Sequence, residues 1–367
     1  MKRLMGLLEL IGLLALNGCS SSSDDGGAPI EPEPVLSTPI AFSASQGEEA
    51  VTRATSLHDA NVSTFKVWGY KNLSSTTQTV FPGYTVNWTT GGSTTNSSGW
   101  EYVAQQTSGD EQTIKYWDWS ATAYRFYAVT AGTPDNSIEG QVSFTIAADA
   151  SPIRVGEGTA DEKIAANIAA TPYFSRLWYS TGNVVDYPNK QFGKPVQLEF
   201  IKPFAKVRFM FTYSYESEGI KVKNPRFRPT DESKIARKGS VKVTYPLTGA
   251  TSESYTITKH TPADEGEELT AFTEEYIPEG GVQREIWYTV LPIDLNSPQG
   301  SYTMTVNING SDKDAVVPAS YMQWKPGYSY TYIFKITDNG GVEIDMVQAA
   351  FTAWEERESD NYEVYNW

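Results

Sequence analysis

The chain is 367 residues long and carries a formal net charge of −15 at neutral pH, with two histidines and a single cysteine. So acidic a balance argues against nucleic acid or anionic lipid as a partner. With so little histidine and cysteine, a histidine-based triad, a thiol nucleophile and a zinc-spaced Cys/His cluster all lack raw material.

In chain order, residues 1–19 read as a lipoprotein signal peptide. Lys2 and Arg3 form the basic start and Leu4 to Leu16 the apolar run, which Glu9 interrupts. Leu16-Asn17-Gly18-Cys19 reads as the processing site, with Asn17 departing from the usual small or apolar residue. Cys19 has no partner for an internal disulfide and is the expected lipid acceptor. The run is too short to span a bilayer. Residues 20–53 read as a tether, a short strand and a polar segment. Ser20 to Ser37 has too little apolar content to fold. Pro39-Ile40-Ala41-Phe42-Ser43-Ala44 then places Ile40, Phe42 and Ala44 on one side, the two-residue period of a strand with one buried face. The polar segment after it contains Arg53-Ala54, a bond open to a trypsin-like protease.

Beyond Arg53 the dominant signal is alternation. Val207, Phe209 and Phe211 share a face, as do Val241, Val243 and Tyr245; Tyr302, Met304, Val306 and Ile308; and Tyr328, Tyr330, Tyr332, Phe334 and Ile336. Turn signals lie at Pro82-Gly83, Gly91-Gly92, Pro326-Gly327 and Asp338-Asn339-Gly340-Gly341, the last predicting a hairpin. The 22 tyrosines and 10 tryptophans suit strands. Helix is scarce, with Ala160 to Ala170 the best candidate. The pattern predicts a mostly β chain of two tandem antiparallel β-sandwich domains, residues 54–194 and 195–367. Near the end, Glu355 to Asp360 is charged and poor in apolar residues, and Tyr362 and Val364 alternate with Tyr365 and Trp367 in a segment with the pattern of a last strand.

Candidate chemistry is thin. His58 and His260 read as solvated loop residues, and Asp264 to Glu268 lacks the ligand order of a calcium loop. Gly91 to Gly99 has no following helix and is no phosphate cradle. Paired carboxylates for glycoside hydrolysis stay open, since no spacing in the sequence picks out a pair among 44 acidic residues. Lys202, Lys206 and Arg208 read as charged outer positions of a strand. Trp117, Trp119 and Trp178 offer a sugar-binding face or, more simply, core and rim. No cofactor is implied.

The stretch "PIAFSASQGEEAVTRA", behind a lipobox and a tether, resembles the precursors of the fimbrillin family, subunits of type V pili. "YWDWSATAYRFYAVTAG" (Tyr116 to Gly132), "VQLEFIKPFAKVRFMF" (Val196 to Phe211), "WKPGYSYTYIFKI" (Trp324 to Ile336) and the terminal "YNW" agree in order. The resemblance implies transthyretin-like sandwiches, no enzymatic activity, and an outer-membrane lipoprotein precursor that ends in a cell-surface fimbrium. It implies cleavage between Arg53 and Ala54 by an arginine-specific protease, release of the strand carrying Ile40, Phe42 and Ala44, and replacement of that strand by one from another pilus subunit, for which the tail at 355–367, with Tyr362, Val364, Tyr365 and Trp367, is the candidate donor unless it completes its own sheet. A host or bacterial surface ligand is a further implied partner. A monomeric glycan-binding lipoprotein, and a tip adhesin that accepts a strand without donating one, are the competing readings.

Overall fold

The computed structural model describes residues 38–46, 56–58, 62–91, 99–107, 110–130, 140–146, 153–155, 172–182, 191–213, 220–231, 235–236, 238–260, 266–270, 287–293, 300–337 and 340–350. Cys19, Arg53, Ala54, the helix candidate at 160–170 and the tail with Tyr362, Val364, Tyr365 and Trp367 lie outside them. All of the described residues belong to one unit, within Thr38–Trp367.

The chain is mostly β. Its described strands begin with β1 (Phe42–Gln46), β2 (Thr64–Leu73), β3 (Thr76–Trp88), β4 (Trp100–Glu101), β5 (Gln106–Thr107), β6 (Asp110–Glu111), β7 (Ala123–Thr130) and β8 (Gln141–Ile146). They continue with β9 (Ile153–Val155), β10 (Phe174–Ser175), β11 (Trp178–Thr181), β12 (Val196–Ile201), β13 (Ala205–Tyr213), β14 (Val222–Pro229), β15 (Ile235–Ala236) and β16 (Lys238–Thr244). The last are β17 (Ser254–His260), β18 (Gly266–Glu267), β19 (Leu269–Thr270), β20 (Trp287–Val290), β21 (Tyr302–Ile308), β22 (Ser311–Val317), β23 (Ser329–Ile336) and β24 (Val342–Ala350).

Eight strands make the first sheet, in the order β1-β12-β10-β7-β2-β3-β4 with β11 also on β7. It curls until β1 and β4 touch. A second sheet, β17-β16-β8, covers one of its faces; a five-stranded sheet, β24-β23-β13-β20-β9, packs on a four-stranded one, β19-β14-β21-β22. The pairs β15-β18 and β5-β6 complete the ladders. Two pairings, β1 with β12 and β13 with β23, are parallel, against the expectation of antiparallel strands alone. Both join strands far apart in sequence, where no hairpin imposes direction. The expected division near residue 195 falls just before β12, which belongs to the first sheet, while β8 and β9 before it pair with β16 and β20.

Alternation places the cores. In β7, Tyr124, Phe126 and Ala128 face one core with Phe42, Phe65 and Leu198, while Tyr127 and Val129 face another with Val142, Val241 and Tyr245. With both faces covered, β7 is buried throughout, as central strands are. The third core lies between the five- and four-stranded sheets, where Phe227 packs 4.8 Å from Phe209 and 5.3 Å from Tyr332, centre to centre.

Some turn signals land differently. The expected hairpin before Val342 is present as β23-β24. Pro82-Gly83, however, lies inside β3, where the β2-β3 register shifts on either side of Trp68 and Gly69. The glycine supplies φ +89°, the positive angle that such an irregularity tolerates, and no hairpin turn forms there. The true β2-β3 turn is Ser74-Ser75. Lys202 and Lys206 are each 2% exposed and are not outer positions. The chain there passes from β12 in one sheet to β13 in another and is covered on both sides; Lys202 Nζ lies 3.6 Å from the centre of the Tyr173 ring. Arg208 is half-buried and donates from Nε to Thr331 Oγ1 at 2.9 Å.

Gly69 shows how tightly the first core closes. A Cβ there would lie 2.5 Å from Phe126 Cε1 and 2.9 Å from Phe81 Cδ2. Gly69→Ala is expected to destabilise the protein by about 1–3 kcal/mol through overpacking, read as a lowered urea midpoint at constant m-value.

Candidate functional site

Pro39 forms a lone bridge to Tyr116, and regular pairing with β12 begins at Phe42, so the observed strand starts three residues later and ends two residues later than the alternation suggests. The cause is a change of partner along the segment. Residues 38–40 hydrogen-bond on one side to the segment at 115–117: Ile40 N donates to Lys115 O at 2.8 Å and Trp117 N donates to Thr38 O at 3.0 Å. From Ala41 onward the other side takes over, with Val196 N donating to Ala41 O at 2.8 Å and the parallel ladder running Phe42↔Val196 to Gln46↔Phe200. Leu57 N returns to donate to Ala44 O at 3.1 Å. The stretch 38–46 is therefore held along both edges, by β12 on one and by Lys115–Trp117 and Leu57 on the other.

Its inward side chains fill the first core. Ile40 and Phe42 are 0% exposed and Ala44 is buried. Phe42 meets Phe81, Tyr102 and Phe126 edge-on, with ring centres 5.2, 5.8 and 5.9 Å away. Opposite, Val196, Leu198 and Phe200 point inward while Gln197 and Glu199 face out. Gln46 is less well served. It is 1% exposed, donates from Nε2 to Tyr173 Oη at 3.2 Å, and its Oε1 has no hydrogen-bond partner.

The wall at 115–121 has its own bracing. Tyr102 Oη donates to Ile40 O at 2.9 Å and accepts from Lys115 N at 3.1 Å, clamping strand to wall; burial pushes its phenol above the ordinary range. Asp118 accepts from Lys71 Nζ at 2.7 Å and from Ser120 N at 3.0 Å, while its own N–H donates to Tyr124 Oη at 2.7 Å. The Lys71 hydrogen bond, with that of Ser120, lowers the Asp118 carboxyl to about 2. Burial pushes the Tyr124 phenol up to about 12.

The sequence candidates divide accordingly. Ile40, Phe42 and Ala44 share one face and one core. Trp117 is buried beside Tyr124 and Phe192, Trp178 is half-buried, and Trp119 is 46% exposed, so the three tryptophans do not form one outward face. His58 is not a solvated loop residue: it is half-buried and stacks on Trp88 at 4.4 Å, because Leu57 beside it is anchored in the core. His260 is the last residue of β17, paired with Lys238. Sequence reasoning missed Leu57, an isolated apolar residue in a polar stretch that was itself a signal. It also missed Tyr102, which lies 62 residues from its acceptor and carries no local mark. Among the described residues no three His, Cys, Asp or Glu side chains are grouped to hold a metal ion, and no helix is long and apolar enough to cross a membrane.

Among solved structures, the chain resembles a protein of Bacteroides uniformis assigned to cell adhesion, at 13% identity and a TM-score of 0.40, with 87% of this chain and 100% of that one covered. A second cell-adhesion assignment, from Bacteroides ovatus, shares 14% identity at a TM-score of 0.43 and covers 88% and 100%. A fimbrial protein from Bacteroides vulgatus shares 12% at 0.38 and covers 86% and 99%. No curated protein matches the chain. The family model described as fimbrillin-like matches residues 52–350, most of the chain. By that match the chain belongs to the fimbrillin-like family.

Proposed function

We propose that the protein is a structural pilus subunit, made as a lipoprotein acylated at Cys19 in the outer membrane and converted to an assembling form when an arginine-specific protease cuts between Arg53 and Ala54. The observation that carries this reading is the complete burial of Ile40 and Phe42 on a strand that precedes the cut. Once the covalent link is gone, β1 is held only by its ladder and its side chains. Its departure leaves an apolar slot with inward-facing donors and acceptors on both rims, namely the N–H groups of Trp117, Leu57 and Val196 and the carbonyl of Lys115. Such an edge is completed most favourably by another extended strand.

Magnitudes favour exchange over a vacant slot. Burying an Ile or Phe side chain is worth about 1.5–3 kcal/mol, and each ladder hydrogen bond about 0.5–1.5 kcal/mol net. β1 is also an imperfect occupant, because Gln46 buries a carbonyl oxygen without a partner, at a cost of about 1–3 kcal/mol. A strand bringing an aliphatic side chain to that position avoids the cost. The donor proposed is the tail at 355–367 of a neighbouring subunit, with Tyr362 and Val364, or Tyr365 and Trp367, as its inward residues.

Digestion of the full chain with an arginine-specific protease should yield a new terminus at Ala54 and, on an unboiled gel, a ladder of SDS-resistant multimers. Arg53→Ala should stay an uncut monomer, and removal of Asn361 to Trp367 should abolish the ladder. Clean cleavage that leaves only monomer would overturn the reading. Gln46→Leu should raise the urea midpoint of the uncut protein by the equivalent of about 1–2 kcal/mol and slow multimer formation after cleavage. The wall beside β1 should respond to pH. Asp118 titrates lower folded than unfolded, so its contribution is present above about pH 4 and is lost as pH falls toward 2. Tyr124 titrates higher folded, so its contribution is present below about pH 10 and is lost as pH rises toward 12. The protection factor of the Trp117 amide, taken against intrinsic exchange at each pH, should fall in both windows, and Asp118→Asn should flatten the acid limb.

A further inference from the structure

The face of the first sheet that carries Tyr127 and Val129 ends, at the start of β7, in a cleft of about 430 Å³. Its rim is the β2-β3 turn at Ser74 and Ser75. Thr122 lies at the foot of β7, Tyr179 comes from β11, and Thr248 belongs to the loop after β16. The volume is that of a small-ligand pocket. Its lining is Ser and Thr hydroxyls, the Asn72 amide, the apolar Leu73 and Ala123 and one aromatic ring, with a single charged side chain, Arg125.

Arg125 is 4% exposed. Nη1 donates to Asn72 Oδ1, and Asn72 is itself fixed, its Nδ2 donating to Thr77 Oγ1 at 2.8 Å and Leu247 O at 3.2 Å. Nη2 reaches the carbonyl oxygens of Gly249 and Ala250 only at 3.4 Å, and Nε has no acceptor. The guanidinium lies 4.8 Å from the centre of the Tyr179 ring. No carboxylate is among these partners, although the chain carries 44 acidic residues against 29 basic ones. A buried arginine is ordinarily paired, because taking its charge out of water costs several kcal/mol without a counter-ion. Burial accordingly lowers its proton affinity. Carbonyl contacts at the limit of hydrogen bonding do not replace a counter-ion, and the cleft leaves room for one.

We propose that this cleft binds the carboxylate of an acidic monosaccharide unit, with Arg125 as the anion contact and the Ser/Thr rim and Asn72 region facing the sugar hydroxyls. A planar carboxylate matches the guanidinium fork. A wall that mixes Ser and Thr hydroxyls with one ring and the apolar Leu73 and Ala123 suits a sugar, which presents hydroxyl edges and apolar C–H faces. The site lies on the opposite face from the β1 slot and does not depend on strand exchange.

Isothermal titration of the full chain with D-glucuronate and with N-acetylneuraminate tests it, beside methyl glucoside, glucose 6-sulfate and acetate. At least one sugar acid should bind, and the neutral sugar should bind at least tenfold more weakly. Arg125→Gln should lose the binding at least tenfold. Because that side chain also ties the 247–250 loop to β2, Thr248→Glu serves as the second variant: the residue is exposed, and the new carboxylate should compete for Arg125 with the melting temperature unchanged. The proposal is overturned if neither sugar acid binds or if methyl glucoside binds equally. It is also overturned if acetate alone matches the sugar acids, if only the sulfated sugar binds, or if Thr248→Glu leaves the affinity intact.

Discussion

The closure of the first sheet by a strand from the chain's own beginning is the constraint on which the rest of this molecule depends. β12 has an inward face of Val196, Leu198 and Phe200 that β10 alone does not cover, and the segment at 115–117 lies across from it. Between the two is a gap one strand wide. Phe42 fills it at the point where Phe81, Tyr102 and Phe126 converge, so the aromatic core and the backbone ladder are completed by the same five residues. Because the curled sheet brings β1 against β4, this strand is the seam of a nearly closed structure rather than one edge of an open one.

A seam of this kind couples parts of the chain that are distant in sequence. Tyr102 grips both the strand and the wall, Asp118 pins the wall to Lys71 on β2, and Tyr124 links that carboxylate's backbone to β7. Gly69 allows Phe126 to lie flat enough for Phe42 to meet it. The same β7 turns its other side chains toward the second sheet, where Tyr127 stacks on Tyr245 at 4.0 Å. Arg125 falls on that side at the strand's end, where the covering sheet gives way to the loop at 247–250. An apolar residue there would leave the loop's carbonyls at 249 and 250 without a donor; an arginine supplies donors and carries a charge that the loop does not neutralise.

Much of the strand content was legible because alternation is a local property. Tyr302, Met304, Val306 and Ile308, or Val241, Val243 and Tyr245, declare a dry face wherever they pair. The candidate site was legible in the same way at Ile40, Phe42 and Ala44. Its surroundings were not. Lys202 and Lys206 look like solvent-facing residues until two sheets are seen to cover the joint they occupy. Pro82-Gly83 has the composition of a turn, yet the pairing of β2 with β3 continues past it as an irregular strand, and the real turn has neither residue. Trp117 and Trp119 are two positions apart; one is core and the other rim, because Trp117 lies flat on Phe192 and edge-on to Tyr124, whereas Trp119 meets Phe192 at a tilt, 6.3 Å centre to centre.

By itself, then, the sequence determined which segments carry a strand's alternation, that the one at Ile40 and Phe42 has an apolar side to bury, and that a polar stretch with Arg53 follows it, since composition and two-residue periodicity are properties of neighbours along the chain. Only the tertiary structure decided that this strand runs parallel to β12 with a second wall at 115–117, and that Arg125 ends beneath a hydroxyl-lined cleft. Those facts depend on which distant strands pair and which loops cover them, and a pairing between residues far apart leaves no mark in the order of either one's neighbours.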